Sequence, residues 1–337
     1  MSKIKILNEK DIKKIINLKL AIEAVEDAYK QKSNKKGNVW PLVFYEYEHD
    51  VFDLDIRSGN LVDSNSYGLK LISYNENNPK IGLPKVNATA LICDDKTGQL
   101  IAILNAEPIT SYRTGAAAAI GAKYLANKNS RNLLVIGSGN VAKYSTAAVL
   151  ITMPSIKKVY IYNSRRMIDN DELLLFKGEV KELLKESGME INAEFESVSD
   201  IQGITKNSDI IISATPSDKA LIDVSWVKAG THFSCMGAGL SGKQEIDEKI
   251  FSKARIFADD EAQCLKVGEA QSAYKEKIIT RFDGEIGDVL LKKIKGRESN
   301  EDITIFDSTG LFLQDLATAV KLINEAKEKN VGSEIEL

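Results

Sequence analysis

Asn132-Leu133-Leu134-Val135-Ile136-Gly137-Ser138-Gly139-Asn140-Val141-Ala142, followed by a helical stretch and then Val159-Tyr160-Ile161-Tyr162-Asn163-Ser164-Arg165-Arg166, decides the fold. An apolar run of strand length ends in a Gly-Ser-Gly turn, a helix follows, and a second strand-like run closes the unit. This is a βαβ unit with a dinucleotide-binding turn. Gly137 permits the tight exit from the strand, Gly139 lets the backbone approach a pyrophosphate, and small Ala142 allows close helix packing. Asn140 and Val141 open the helix, whose free N–H groups and dipole favour an anion.

At the tip of the second strand an acidic residue normally accepts hydrogen bonds from the adenosine ribose. Here Asn163-Ser164-Arg165-Arg166 stands instead. Loss of the carboxylate removes repulsion toward a 2′-phosphate, and two guanidinium groups suit charge-assisted pairing with it. The sequence therefore favours NADP(H), with NAD(H) as the other possibility.

A chain of 337 residues, 43% hydrophobic, is long enough for two domains with their own cores. The formal net charge of −3 and interspersed signs give no basic face for nucleic acid. Cys93, Cys235 and Cys264 are too few and too scattered for a disulfide framework or a metal knuckle, which fits a reducing cytoplasm. The first residues lack the apolar core of a signal peptide, and no apolar run approaches bilayer length. With only His49 and His232 present, a histidine-based metal site or Ser-His-Asp triad has little material.

Outward from the opening unit, Leu18 to Gln31 has helical apolar spacing, Val39 to Ile56 reads as two strands joined near His49-Asp50, and Tyr67–Tyr74, Val86–Cys93 and Leu100–Leu104 look extended. Thr114 to Ala126 is an alanine-rich helix, placing Arg113 at a helix start where the dipole mildly disfavours a cation. Strand candidates Leu133–Ile136, Val159–Tyr162, Ile210–Ser213, His232–Cys235, Ile256–Ala258 and Ile303–Phe306 then alternate with helices. The predicted architecture is α/β, a Rossmann-type doubly wound sheet over 126–312 with an α+β domain at 1–125 to which a last helix, within 313–337, returns. At the carboxyl edge of that sheet, Thr215 and Pro216 follow one central strand and Gly237 another, so both turns border the cofactor, with Ser308 and Gly310 closing over it. His232 reads as a structural residue of its strand.

Tyr67-Gly68-Leu69-Lys70, Gly82-Leu83-Pro84, Asp94 to Gly98, Thr110-Ser111-Tyr112-Arg113-Thr114, Gly137 to Ala142, Gly242-Lys243-Gln244-Glu245 and Asp307-Ser308-Thr309-Gly310 with Gln314-Asp315 occur in one order. In that order they resemble the ornithine cyclodeaminase/μ-crystallin family along nearly the whole chain. The resemblance implies a homodimer with an N-terminal substrate and dimerisation domain and a Rossmann domain. It implies hydride chemistry at an amino or imino carbon: cyclisation of ornithine with ammonia loss, ketimine reduction, alanine dehydrogenation or opine-like dehydrogenation.

Strand alternation sets Lys70 on the face opposite Leu69 and Leu71. A strand lysine usually faces solvent, but the resemblance implies a cleft-facing lysine that contacts the substrate and supplies the proton accompanying hydride transfer. The resemblance likewise assigns Arg113 to the substrate carboxylate, a task that suits its planar fork, and sets Thr114 beside the cofactor. Lys85 stands where the family often has threonine, and Lys243 falls in a family motif. Both are placed with the substrate. Arg57 either binds a second substrate carboxylate or belongs, with Asp53 and Asp55, to an ordinary charged strand face.

Gly239 replaces an aspartate that cyclodeaminases of the family use on the substrate amines, and glycine cannot be a general acid or base. Reduction of a small 2-imino acid or cyclic ketimine to the amino acid, or its reverse, demands less and is the expected activity. The rivals are an NAD-recycling ornithine or lysine cyclodeaminase and a non-catalytic NADPH-binding protein.

Overall fold

A computed structural model describes residues 3–49, 51–190 and 192–336, so the proposed His49-Asp50 turn falls partly outside the described residues. The chain divides into two units, 1–113 with 311–337 and 114–310. The division falls at Arg113, inside a helix, and not at 125.

The first unit is built on an eight-stranded sheet. Its strands are β1 (Lys3–Leu7), β2 (Gly37–Val39), β3 (Val43–Glu48), β4 (Phe52–Leu61), β5 (Ser66–Asn75), β6 (Val86–Asp94), β7 (Leu100–Asn105) and a C-terminal strand, Ser333–Glu336. The order runs from the C-terminal strand through β1, β7, β6, β5 and β4 to β2, with β3 also on β4. After α1 (Glu9–Lys13), α2 (Leu18–Ser33) begins at Asn17, whose side chain accepts from the Leu20 N–H. Its apolar face packs against the C-terminal helix Phe312–Glu328, which also lies on β4 and β5. Register is the decisive detail. Arg57 pairs with Lys70, while the next rung aligns Val43, Ile56 and Leu71 on the other face. Lys70 is fully buried and Leu71 is 43% exposed. At these rungs the sheet thus turns charged side chains inward and apolar ones outward.

Helix α3 runs Glu107–Leu125, beginning earlier than the predicted Thr114. Pro108 in the first turn and the Asn105 side chain accepting from the Glu107 N–H account for the earlier start. Arg113 is therefore a mid-helix residue, and the dipole argument at a helix start does not apply to it.

In the second unit, β8 (Asn132–Ile136), α4 (Asn140–Thr152) and β9 (Lys158–Tyr162) form the βαβ unit, followed by α5 (Asn170–Glu186) and β10 (Glu194–Ser197). Then come β11 (Ile210–Ser213), β12 (Asp218–Ile222), β13 (His232–Cys235), β14 (Gln244–Ile246), β15 (Ala254–Ala258), β16 (Gly284–Glu285) and β17 (Ile303–Asp307). Apart from the β12–β14 pair, they form one sheet of order β10-β9-β8-β11-β13-β17-β15-β16, parallel at every pairing. Its inner strands are mostly apolar and buried, as a sheet covered on both faces requires. The order reverses between β8 and β11, so the crevice for a ligand lies outside their carboxyl ends.

Candidate active site

The first unit gathers a buried charged cluster. Lys70 Nζ lies 2.8 Å from Asp315 Oδ1 and donates to Thr110 Oγ1 at 3.2 Å. Two of its three N–H groups thus have protein acceptors. Burial pushes the ammonium down to about 8, against the upward pull of Asp315, and the nearby charges of Arg113 and Arg57 add to the depression. Burial alone would raise Asp315, but Lys70 and Arg113 hold it below the ordinary carboxylate range. Arg113 Nη1 donates to Gln314 Oε1 at 3.0 Å, and Gln314 in turn donates to the Tyr29 hydroxyl at 2.6 Å. Arg113 Nε and Asp315 Oδ2 stand 3.5 Å apart, and neither makes a hydrogen bond. A guanidinium with spare donors beside an ammonium with one spare N–H is an anion-accepting, proton-donating pair.

The Arg57 charge is felt at this cluster, lowering both Lys70 and Asp315, while its side chain is engaged by its strand neighbour, Nε and Nη2 donating to Asp55 Oδ2 at 3.2 and 3.1 Å. The Asp55 contact is the one expected of an ordinary charged strand face. Lys85 lies elsewhere: it is half-exposed and donates to Glu76 Oε1 at 2.5 Å, which raises its affinity for its proton.

The second unit carries the dinucleotide turn. Gly137 has φ of +111°, and a Cβ there would meet Ala214 O at 2.5 Å, so glycine is required by both backbone and neighbour. Gly139 caps α4 with no side-chain hydrogen bond, leaving the first N–H groups of the helix uncapped, and a Cβ on it would meet nothing within 4 Å. An open cradle over uncapped N–H groups fits a pyrophosphate. Beyond β9, Asn163 donates to Ser138 Oγ at 3.1 Å, Ser164 and Arg165 are exposed, and Arg166 is held in a bidentate pair by Glu172.

Thr215, exposed Pro216 and Gly237 follow β11 and β13 at the same sheet edge. Asp259 holds the loop after β17, accepting from Ser308 Oγ at 2.9 Å and the Gly310 N–H at 2.8 Å. Asn140 and Val141 begin α4, Thr114 is buried in α3, and Lys243 is half-buried on the turn before β14. Gly239 has no positive φ, and a Cβ would meet only Thr309 O at 3.8 Å, so no steric demand keeps it a glycine. His232 is enclosed between Thr304 Oγ1 and Ser234 Oγ, and burial holds it neutral. A groove of about 740 Å³ lies at the amino edge of this sheet, where Lys228 is bound to Asp209 and Arg297 to main-chain carbonyls.

Residue-by-residue reading assigned no role to Asp315, Gln314, Thr110, Glu245 or Asp259. Asp315 carried a signal: an acid between the apolar Leu313 and Leu316 on a helix has to be exposed or paired. Among the described residues no cluster of three or more His, Cys, Asp or Glu has metal-binding geometry, and no helix is long and apolar enough to cross a membrane.

Three solved structures resemble the chain over its whole length. The iminosuccinate reductase of Paracoccus denitrificans in complex with NAD+ matches with a TM-score of 0.89 at 30% identity, covering 99% of this chain and 100% of that one. An archaeal alanine dehydrogenase dimer with bound NAD matches at 0.87 and 33% identity, covering 99% of each chain. The Δ1-pyrroline-2-carboxylate reductase of Thermococcus litoralis, in complex with NADH and L-proline, matches at 0.87 and 30% identity over 98% of this chain and 100% of that one. Residues 3–330 match one family, and with that match the order of motifs and the sheet topology find one explanation: the chain belongs to the ornithine cyclodeaminase/mu-crystallin family.

Proposed function

We propose that the protein is a nicotinamide-dependent oxidoreductase that reduces a small 2-imino acid or cyclic ketimine to the amino acid, or runs the reverse. The observation that carries this reading is the buried Lys70–Asp315–Arg113 cluster, which offers a carboxylate anchor and a proton and holds no further base. Three neighbours whose names are those of imine reductases or an amino-acid dehydrogenase support it.

When bound on the Gly137–Val141 turn, with Thr114, Thr215, Gly237, Ser308 and Gly310 as further contacts, the dinucleotide supplies or accepts the hydride. The protein does the rest. Arg113 takes the substrate carboxylate, and its partner Gln314 fixes the plane of the fork. Lys70 passes a proton to the imine nitrogen as the carbon gains hydride, so the products are an amine and a neutral lysine that recovers its proton from water. An ammonium lowered to about 8 gives that proton up near neutral pH far more readily than an ordinary lysine. Asp315 aims the ammonium, and Arg57 assists with substrates bearing a second anionic group. Lys85, engaged by Glu76, has the weakest claim to a part.

For the cofactor, Asn163 removes the repulsive carboxylate and Arg165 makes no ion pair among the described residues, which supports acceptance of a 2′-phosphate, although Arg166 is occupied by Glu172. The neighbours bind NAD or NADH. The reading is that NADP(H) is accepted and NAD(H) remains a competent alternative. The test is dinucleotide oxidation with NADPH or NADH and a 2-oxo acid plus ammonia or methylamine, and separately a cyclic ketimine carboxylate. Turnover in either arm is the expected result. Ammonia release from ornithine with NAD and no net cofactor change would instead establish the lyase.

The outward face of the first unit supports a homodimer. Val43, Tyr45 and Leu71 are 54%, 57% and 43% exposed and line one side of the sheet. Such an apolar, tyrosine-bearing face fits a second copy better than water, and a neighbour is described as a dimer. Light scattering after gel filtration is expected to give a dimer for the native chain and a monomer for Tyr45→Glu/Leu71→Glu. A native monomer would overturn the assignment.

A further inference from the structure

The second unit buries carboxylates that imine reduction does not use, and they are arranged in series. Asp307 accepts from the N–H groups of Glu269 and Ala270 at 3.1 and 2.9 Å. Glu269 Oε1 accepts from the N–H groups of Glu245 and Ile246 at 2.6 and 2.7 Å. Glu245 Oε1 accepts from the N–H and hydroxyl of Thr215 at 2.6 and 2.7 Å, and its Oε2 accepts from the Gly237 N–H at 3.1 Å. Both turns lie just past strand ends, where the ladder no longer supplies acceptors for their N–H groups.

We infer that Glu245 is a positioning residue for dinucleotide binding: one carboxylate clamps the turns after β11 and β13 at a fixed separation. The inference rests on the reading of Thr215 and Gly237 as cofactor contacts. A second observation points the same way. A Cβ on Gly237 would stand 2.3 Å from Glu245 Oε2 and 2.4 Å from Thr215 O, so the glycine is what allows the clamp to close.

Three donors converge on Glu245, so it works as an ionised acceptor. Burial raises both it and Glu269, Glu245 to about 7, and the Glu245 charge raises Glu269 further. Glu269 Oε2 is buried with no hydrogen-bond partner, whereas both Glu245 oxygens accept hydrogen bonds.

Glu245→Gln keeps the shape and one acceptor but points an NH2 group at an N–H donor. The expected result is a rise of roughly tenfold or more in the dinucleotide Kd and KM, the loss of one buried hydrogen bond turned into a repulsive contact. The imine KM and the kcat at saturating dinucleotide should stay within about twofold, because the substrate cluster is untouched. Asp209→Asn controls for general destabilisation: Asp209 pins the start of β8 at the opposite edge through the Arg131 and Asn132 N–H groups and Lys228. It should lower the melting temperature without changing dinucleotide affinity. Equal affinity in native protein and Glu245→Gln, or equal weakening in Asp209→Asn, would overturn the clamp while leaving the function intact. A native protein that binds neither dinucleotide would overturn both.

Discussion

Lys70→Met is expected to lower imine-reducing turnover by about 10²- to 10⁴-fold, the usual contribution of a positioned proton donor, and to destabilise the fold as well. The stability loss follows from what is left behind. Asp315 is 2% exposed and its Oδ2 already lacks a hydrogen bond, so removing the ammonium leaves a buried carboxylate with only the Arg113 guanidinium at 3.5 Å to balance it, at a cost of up to about 3–5 kcal/mol. Two losses from one substitution make the single variant ambiguous. The double variant Lys70→Met/Asp315→Leu resolves it, because removing both charges together should restore most of the stability without a proton donor. Turnover measured on the folded double variant is the deciding quantity. If activity returns with stability, Lys70 is a structural ion-pair partner and the catalytic assignment is wrong.

The same lysine fixes the sign of a pH dependence. With the folded ammonium at about 8, the reduction rate should fall as pH rises through that value, since the neutral amine has no proton to give. Stability moves the other way. The folded pKa lies below the ordinary 10.5, so between those values the unfolded chain binds more protons, and this group's contribution to stability rises with pH across that window. Below about 8 both states carry the charge, and the burial penalty is present in full. A rate profile flat to pH 10 in the native protein would remove Lys70 from the proton step.

The βαβ unit was legible because its information is local: apolar run, glycine turn, small residue and second run lie within one stretch of chain. What escaped is nonlocal. Lys70 and Asp315 are separated by 245 positions, and neither strand alternation nor helical periodicity says that they meet. The alternation even misleads about which side is the interior. Leu69 and Leu71 suggest a core face, yet the buried face carries Lys70, because the C-terminal helix covers that side with Asp315. The start of α3 has a local mark, since Asn105-Ala106-Glu107-Pro108 is a helix-opening signal, but the alanine run downstream carries the stronger helical signal. Strands β1 and Ser333–Glu336 are short, charged and paired with each other across the whole length of the chain, so no local window marks them as a sheet edge. The Glu245 clamp was visible only as part of a motif, its partners being main-chain N–H groups that a sequence does not display.

Gly137 and Gly139 stand two positions apart in one turn, and their replacement by alanine is expected to fail in opposite ways. Gly137→Ala imposes a side chain at φ of +111° with its Cβ 2.5 Å from Ala214 O, so the turn must move or the strand end must give. Backbone strain and overlap together should cost about 2–4 kcal/mol, enough to lower the melting temperature by several degrees before any ligand is added. Gly139→Ala meets nothing within 4 Å and has an ordinary φ of −80°, so the fold should lose no more than about 1 kcal/mol. Its methyl group instead enters the cradle over the first turn of α4, where a pyrophosphate would draw on uncapped N–H groups. Losing one or two of those charge-assisted bonds should weaken dinucleotide binding by roughly 10- to 100-fold. Melting curves with and without dinucleotide separate the cases, because a ligand at free concentration L that binds only the folded state stabilises it by RT ln(1 + L/Kd) and so raises the melting temperature more the tighter it binds. Gly137→Ala should start low, whereas Gly139→Ala should start near the native value and gain little on adding cofactor. A native-sized shift in Gly139→Ala would show that no phosphate approaches this turn, and the small residues there would then serve helix packing alone.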